Sequence, residues 1–150
     1  MPTATKTAVF SAALLAMVLA HVGVAVPQTP MPVPVLVLQG QEPFQAGGKQ
    51  WIRYRYFVAN FEAYPNTLFA ASPNLPPCGA NTKAARTWVD FFDKNGKRLN
   101  GFCALGSHND LNQIWFALEE GIIPPSYVHI VMTDRQTNTK VTSNDADTTL

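Results

Sequence analysis

The clearest pattern in the chain begins at Trp51, where large apolar and polar side chains alternate with a period of two. Ile52, Tyr54, Tyr56 and Val58 fall on one side of an extended segment, and Trp51, Arg53, Arg55 and Phe57 fall on the other. A helix would scatter both sets, so the pattern predicts a strand over Gln50 to Ala59. The same reasoning predicts strands over Thr87 to Asp93, Lys97 to Ala104, Ile114 to Leu118, Tyr127 to Asp134 and Thr139 to Ser143. Asp93-Lys94-Asn95-Gly96 lies between two of them. Asn-Gly is the strongest short-range hairpin signal, because both residues tolerate positive φ. Val35-Leu36-Val37-Leu38 is a seventh candidate, and one helical turn is expected over Asp110 to Gln113.

Between these runs stand turn formers. Residues 60–86 hold Asn60, Pro65, Asn66, Pro73, Asn74, Pro76, Pro77, Gly79 and Asn81, interrupted by the apolar Leu68, Phe69 and Leu75. A loop this long that carries its own apolar anchors is expected to pack down on the body. No long amphipathic helix interrupts the series. The count and spacing point to an all-β fold, an antiparallel β-sandwich of immunoglobulin or fibronectin type III character, with a small open β-barrel as the runner-up. The domain is expected over residues 49–143. Residues 26–48 read as a proline-rich extended linker or edge strand, and residues 144–150 as a flexible tail. Trp88 and Trp115 are expected in the core.

The first 25 residues have a different character. A short polar start with Lys6 leads into the apolar run Ala8 to Ala20, and Gly23 and Ala25 precede a cleavage point ahead of Val26. This is the layout of a secretory signal peptide, and the apolar run is short for a hydrocarbon layer of roughly 30 Å. Removing it takes Lys6 from the 11 basic residues and leaves 10 against 10 acidic ones. A neutral mature chain argues against nucleic acid as a partner and against membrane attachment once the leader is gone. Secretion or a periplasmic location follows as the expectation.

In an oxidising compartment the two cysteines, Cys78 and Cys103, read most simply as a disulfide. The loop closed would be about 25 residues, worth about 3 kcal/mol in the chain-entropy model. Two buried thiols are an alternative, as is a metal set with His108 and His129, although the spacing C-x24-C-x4-H-x20-H fits no zinc pattern. Neither a metal site nor a cofactor is expected.

No catalytic residues emerge. The chain has no Gly-x-Ser-x-Gly turn, and Ser107-His108 with Asp110 is a run of neighbours along one connection. Glu119-Glu120 sits in a turn, and Asp145 and Asp147 lack the Gly and distal Glu of a calcium loop. The most suggestive segment is Trp51, Arg53, Arg55 and Phe57. A strand puts the two arginines on one face about 7 Å apart, flanked by rings. They could hold an anionic group or stack on a flat ligand, or simply lie over aromatic rings on an outer sheet face.

Leu75-Pro76-Pro77-Cys78-Gly79, Thr87-Trp88-Val89-Asp90, Gly101-Phe102-Cys103-Ala104-Leu105, Ile114-Trp115-Phe116-Ala117 and Pro124-Pro125 together resemble small secreted bacterial proteins of unknown function. The resemblance spans roughly residues 54–142. It implies a shared exported β-domain with Cys78 and Cys103 in equivalent roles, and it brings no catalytic residues. Calmodulin targets are basic amphipathic helices, whereas the basic-aromatic segment here has a period of two. The reading that emerges is an exported domain that binds a protein or surface ligand without catalysis. Its competitor is a cell-envelope enzyme or accessory using His108, Asp110 and His129, which needs at least two of His108, Asp110, His129, Asp90 and Glu119 to meet in a pocket.

Overall fold

The computed structural model describes residues 30–149 apart from Gly79, Asn81 and Thr82. The leader and its cleavage point lie outside the described residues. Eight strands are present among those described: β1 (Leu36–Ala46), β2 (Lys49–Val58), β3 (Thr87–Asp93), β4 (Arg98–Phe102), β5 (Ile114–Glu119), β6 (Tyr127–Asp134), β7 (Thr139–Thr142) and β8 (Ala146–Asp147). They form two antiparallel sheets, one ordered β1-β2-β5 and the other β4-β3-β6-β7, with β8 also paired to β6. The fold is all-β, as the alternation predicted.

The alternating residues turn one apolar face of each sheet toward the other. Tyr54, Tyr56, Val58, Ile114 and Phe116 from the first sheet share one core with Val89, Phe91, Val128, Ile130 and Met132 from the second. Ring contacts cross the interface, Tyr56 to Phe91 at 5.4 Å and Phe91 to Phe116 at 5.8 Å. Each fully buried apolar side chain contributes about 1.5–3 kcal/mol relative to exposure. Buried phenols need acceptors, and both fully buried ones have them. Tyr56 donates its hydroxyl to the Asp147 carbonyl at 3.1 Å, and Tyr64 donates to the Pro32 carbonyl at 2.8 Å. Burial pushes both hydroxyls well above the ordinary tyrosine pKa.

β1 is longer than the sequence pattern suggested, running on past Leu38 to Ala46. It pairs with β2 from Leu36 opposite Val58 to Ala46 opposite Lys49, closed by Gly47 and Gly48 at φ +59° and +74°. Two positive-φ glycines make the hairpin turn that matches strand twist. A bulge between Leu38 and Gly40 breaks the period, and Pro43 is tolerated because β1 is an edge strand. The edge-strand alternative for residues 26–48 therefore holds over Leu36–Ala46, and the folded body begins well before residue 49. At Asp93–Gly96 only Gly96 takes positive φ, at +78°, while the Asp93 carboxylate accepts the Asn95 and Lys97 amides. The expected single helical turn is a 3-10 turn over His108–Asn112, capped by Ser107 and Asp110.

The C-terminal segment corrects the expectation of a flexible tail. β7 and β8 flank the same side of β6, with Ser143–Asp145 bulging between them as one interrupted edge strand. Asn144 reaches across to the other sheet, accepting the Leu36 amide at 2.8 Å and donating to the Leu36 carbonyl at 3.0 Å. Thr148 is 1% exposed, and its carbonyl accepts the Gln41 side chain at 2.7 Å. On the opposite seam Asn100 donates to the Trp115 carbonyl at 2.6 Å. Side-chain amides thus bridge both seams where a barrel would need backbone ladders, and the two sheets stay separate among the described residues.

Trp88 and Trp115 are not in the core. Each falls between two buried neighbours, Thr87 and Val89 in one case, Ile114 and Phe116 in the other, so strand parity turns both outward. Guanidinium groups cover them instead, Arg135 lying 4.3 Å from the Trp88 ring and Arg53 lying 4.7 Å from Trp115.

The long connection from β2 to β3 packs down as expected. Two 3-10 turns, Phe61–Ala63 and Asn66–Phe69, seat Tyr64 and Phe69 in the core. Its distal part is closed at the neck by Ser72 N–H to the Ala84 carbonyl and Arg86 N–H to the Ala70 carbonyl. Cys78 and Cys103 form a disulfide, with S–S 2.05 Å and Cα–Cα 6.1 Å, tying this loop to the end of β4.

Candidate functional site

The outer face of the first sheet carries the arginines of β2. Antiparallel register places Glu42 and Ala117 on either side of Arg53, and Gly40 and Trp115 on either side of Arg55. Ala117 and Gly40 offer almost no side-chain bulk, so both guanidinium groups lie along the sheet. Arg53 is held between two rings, 4.5 Å from Phe44 and 4.7 Å from Trp115. Such stacking fixes the plane of the group and leaves its edges for hydrogen bonding.

Glu42 is shared between the two arginines. One carboxylate oxygen accepts Arg53 Nη1 at 2.8 Å and the other accepts Arg55 Nη1 at 3.2 Å. Arg55 also donates through Nε and Nη2 to Gln39 Oε1 at 3.3 and 2.9 Å. The hydrogen bond from Arg55 is the largest influence on the Glu42 carboxyl; burial pushes the other way, and the Arg53 hydrogen bond with the charge of both arginines tips the balance to below its usual range. The Nε of Arg53 is buried without a partner. Buried donors are nearly always satisfied, so an orphan on an outer sheet face stands out.

These residues line a cavity of about 470 Å³ together with Asn112 and Gln113 from the β4–β5 connection. Of the four residues singled out in sequence, Arg53 and Arg55 line it. Trp51 stacks on Phe44 at 6.5 Å and donates its indole N–H to the Ala46 carbonyl, outside the cavity. Phe57 is half-buried opposite Val37 and lies outside it too. Sequence reasoning missed Gln39, Glu42, Asn112, Gln113 and the outward role of Trp115. The bulge at Gln39 is what lets Gln39 and Glu42, an odd number of residues apart, reach the same guanidinium.

A second cavity, of about 510 Å³, opens where the N-terminal residues Pro30–Pro32 meet the 3-10 turns and the β6–β7 hairpin. Its charged groups are Arg86 and Asp134, joined in a fork of two hydrogen bonds at 3.0 and 2.6 Å. Burial pushes the Asp134 carboxyl up, but hydrogen bonds from Arg86, the Gln136 amide and the Thr137 hydroxyl outweigh it and hold the pKa at about 2. The two groups neutralise one another across the chain, which makes the pair a fastening for the hairpin.

The residues of the enzyme reading are each occupied locally. His108 Nδ1 lies 2.7 Å from the Tyr64 carbonyl, and Asp110 accepts the Gly106 and Ser107 amides. His129, turned outward on β6, stacks on Phe92 at 5.9 Å and lies 3.5 Å from Asp145. Asp90 pairs with Arg98, and Glu119 with Lys49. His108 and Asp110 share one 3-10 turn, whereas His129, Asp90 and Glu119 stand on three different strands, and each of the five is engaged with its own local partner. Among the described residues no cluster of His, Cys, Asp and Glu is arranged to hold a metal, and no helix is long and apolar enough to cross a membrane. Compared with protein families, with curated proteins and with solved structures, the chain matches none.

Proposed function

We propose that this protein is an exported, non-catalytic binding domain that recognises a protein or surface ligand through the groove over Arg53 and Arg55. We further assign it to the β-sandwiches of fibronectin type III character. β1, β2 and β5 take the places of strands A, B and E, and β3, β6 and β7 those of C, F and G. β4 joins the second sheet beside β3, whereas in immunoglobulin constant domains the fourth strand joins the first. A leader-like first segment and an intramolecular disulfide support a secreted or periplasmic location. The motifs around Cys78, Trp88 and Cys103 support kinship with the small secreted bacterial proteins they resemble.

The single observation that carries the binding reading is the groove itself: two ring-clamped or fork-bonded guanidinium groups held open around one shared carboxylate. The guanidinium edges left over beside that carboxylate face the cavity together with side-chain amides, which suits a polar ligand. The test is capture from a cell-envelope extract with the disulfide-bonded domain and with the Arg53→Ala/Arg55→Ala variant. Capture lost in the variant supports the reading, and equal recovery by both forms removes this face from consideration.

A further inference from the structure

Resting on that binding reading, we infer that the groove takes an acidic carbohydrate, a sugar ring carrying one carboxylate. The cavity holds two guanidinium groups, Arg53 and Arg55, against the one carboxylate of Glu42, and its remaining lining residues are neutral. Two minus one leaves a single positive charge. A monoanion balances it, whereas a doubly charged phosphate would overshoot beside Glu42.

The neutral lining argues for hydroxyls. Gln39, Asn112 and Gln113 present side-chain amides, each offering donors and an acceptor. Among the described residues neither Asn112 nor Gln113 has a hydrogen-bond partner for its side chain, and Gln39 uses only its oxygen, toward Arg55. Groups that give and receive match sugar hydroxyls, which do the same. Arg53 is set in advance by its two rings, and it spends only Nη1 on Glu42. A fork already fixed in plane loses little freedom on binding a carboxylate.

Fold position argues against a peptide docking as an added strand. The groove lies over β2, the middle strand of its sheet, whose backbone is paired to β1 on one side and β5 on the other. What is left is a concave polar site of about 470 Å³, within the roughly 300–1,000 Å³ usual for small-molecule sites.

The experiment is titration calorimetry on the disulfide-intact protein with four probes: tetragalacturonate, the matched neutral tetragalactose, tetraglutamate and inorganic phosphate. Tetragalacturonate is expected to bind, with every other probe at least about tenfold weaker. Arg53→Ala and Arg55→Ala should each abolish binding, and Arg53→Lys should lose most of it. Glu42→Gln, which keeps a hydrogen-bond acceptor but removes the competing charge, should tighten tetragalacturonate severalfold. Circular dichroism and unfolding curves on each variant separate lost binding from lost fold. Neutral tetragalactose binding as tightly would overturn the charge argument. Tetraglutamate or phosphate binding as tightly would overturn the carbohydrate class. If no probe binds while capture from envelope extract still depends on the arginines, the carbohydrate inference falls and the binding reading stands. If that dependence is absent as well, both fall.

Discussion

Replacing Asp134 by Asn tests whether the Arg86–Asp134 pair fastens the β6–β7 hairpin. Asn has nearly the same shape and keeps an oxygen for the Gln136 amide, so the change removes a charge and little else. Asp134 is 4% exposed and Arg86 a quarter exposed at its side chain, so solvent screens the pair only partly. The folded-state pKa of about 2 lies below the ordinary aspartate value of 3.8. At roughly 1.4 kcal/mol per pH unit, the gap corresponds to about 2 kcal/mol of stability. A depressed carboxylate contributes that stability fully above the unfolded-state value, near pH 4, and loses it as pH falls through about 2. In the variant Arg86 also loses its partner, which adds to the penalty at neutral pH. Urea unfolding of both proteins with the disulfide intact should therefore show a gap of about 2–4 kcal/mol at pH 7. Near pH 2 it should shrink to under about 1 kcal/mol, because protonated Asp resembles Asn. The other carboxylates titrate alike in both proteins and cancel in the difference. A gap that stays constant between pH 7 and pH 2, or one below about 0.5 kcal/mol at pH 7, would refute the reasoning.

Removing the disulfide by Cys78→Ser/Cys103→Ser should lower stability by about 3 kcal/mol, read from urea midpoints against the oxidised parent. Asn144→Ala strips two hydrogen bonds from Leu36 and should cost about 1–3 kcal/mol, with faster amide exchange at Leu36 as the local signature. Tyr64→Phe leaves the Pro32 carbonyl without its donor and should cost about 1 kcal/mol, measured by thermal unfolding. Mass spectrometry of the exported protein should find a chain beginning at Val26, and an intact Met1 would overturn cleavage.

Strands with clean alternation were legible because burial on one face leaves its mark at every second residue. β2, β3 and β6 are of this kind, and the inward set of β2 is the one its spacing predicted. β1 was only half legible, since the bulge between Leu38 and Gly40 and the proline at Pro43 both interrupt the period. Trp88 and Trp115 have the size and hydrophobicity of core residues, but strand parity turns them outward, and the arginines that cover them come from elsewhere in the chain. The end of the chain differs from its polar pattern for another reason. Asn144 is anchored to the Leu36 backbone, and Thr148 by its hydroxyl to the Pro125 carbonyl and by its own carbonyl to the Gln41 side chain, none of which polar composition advertises. Of the groove, sequence alternation supplied the arginines. Glu42 and Gln39 were hidden in the unrecognised half of β1, and Asn112 and Gln113 arrive from a connection far along the chain.

The two asparagines that staple the seams have a bearing on how the molecule lives among its own copies. A strand with idle amides and carbonyls along its rim recruits the rim of a neighbour, and this is how β-proteins grow into fibrils. Here Asn144 occupies the start of one rim, Pro43 and the kink at Gln39 spoil the rest of it, and Asn100 occupies a carbonyl on the opposite side. Each of these devices removes pairing positions from the rims of the first sheet, so a neighbouring copy meets an interrupted edge there.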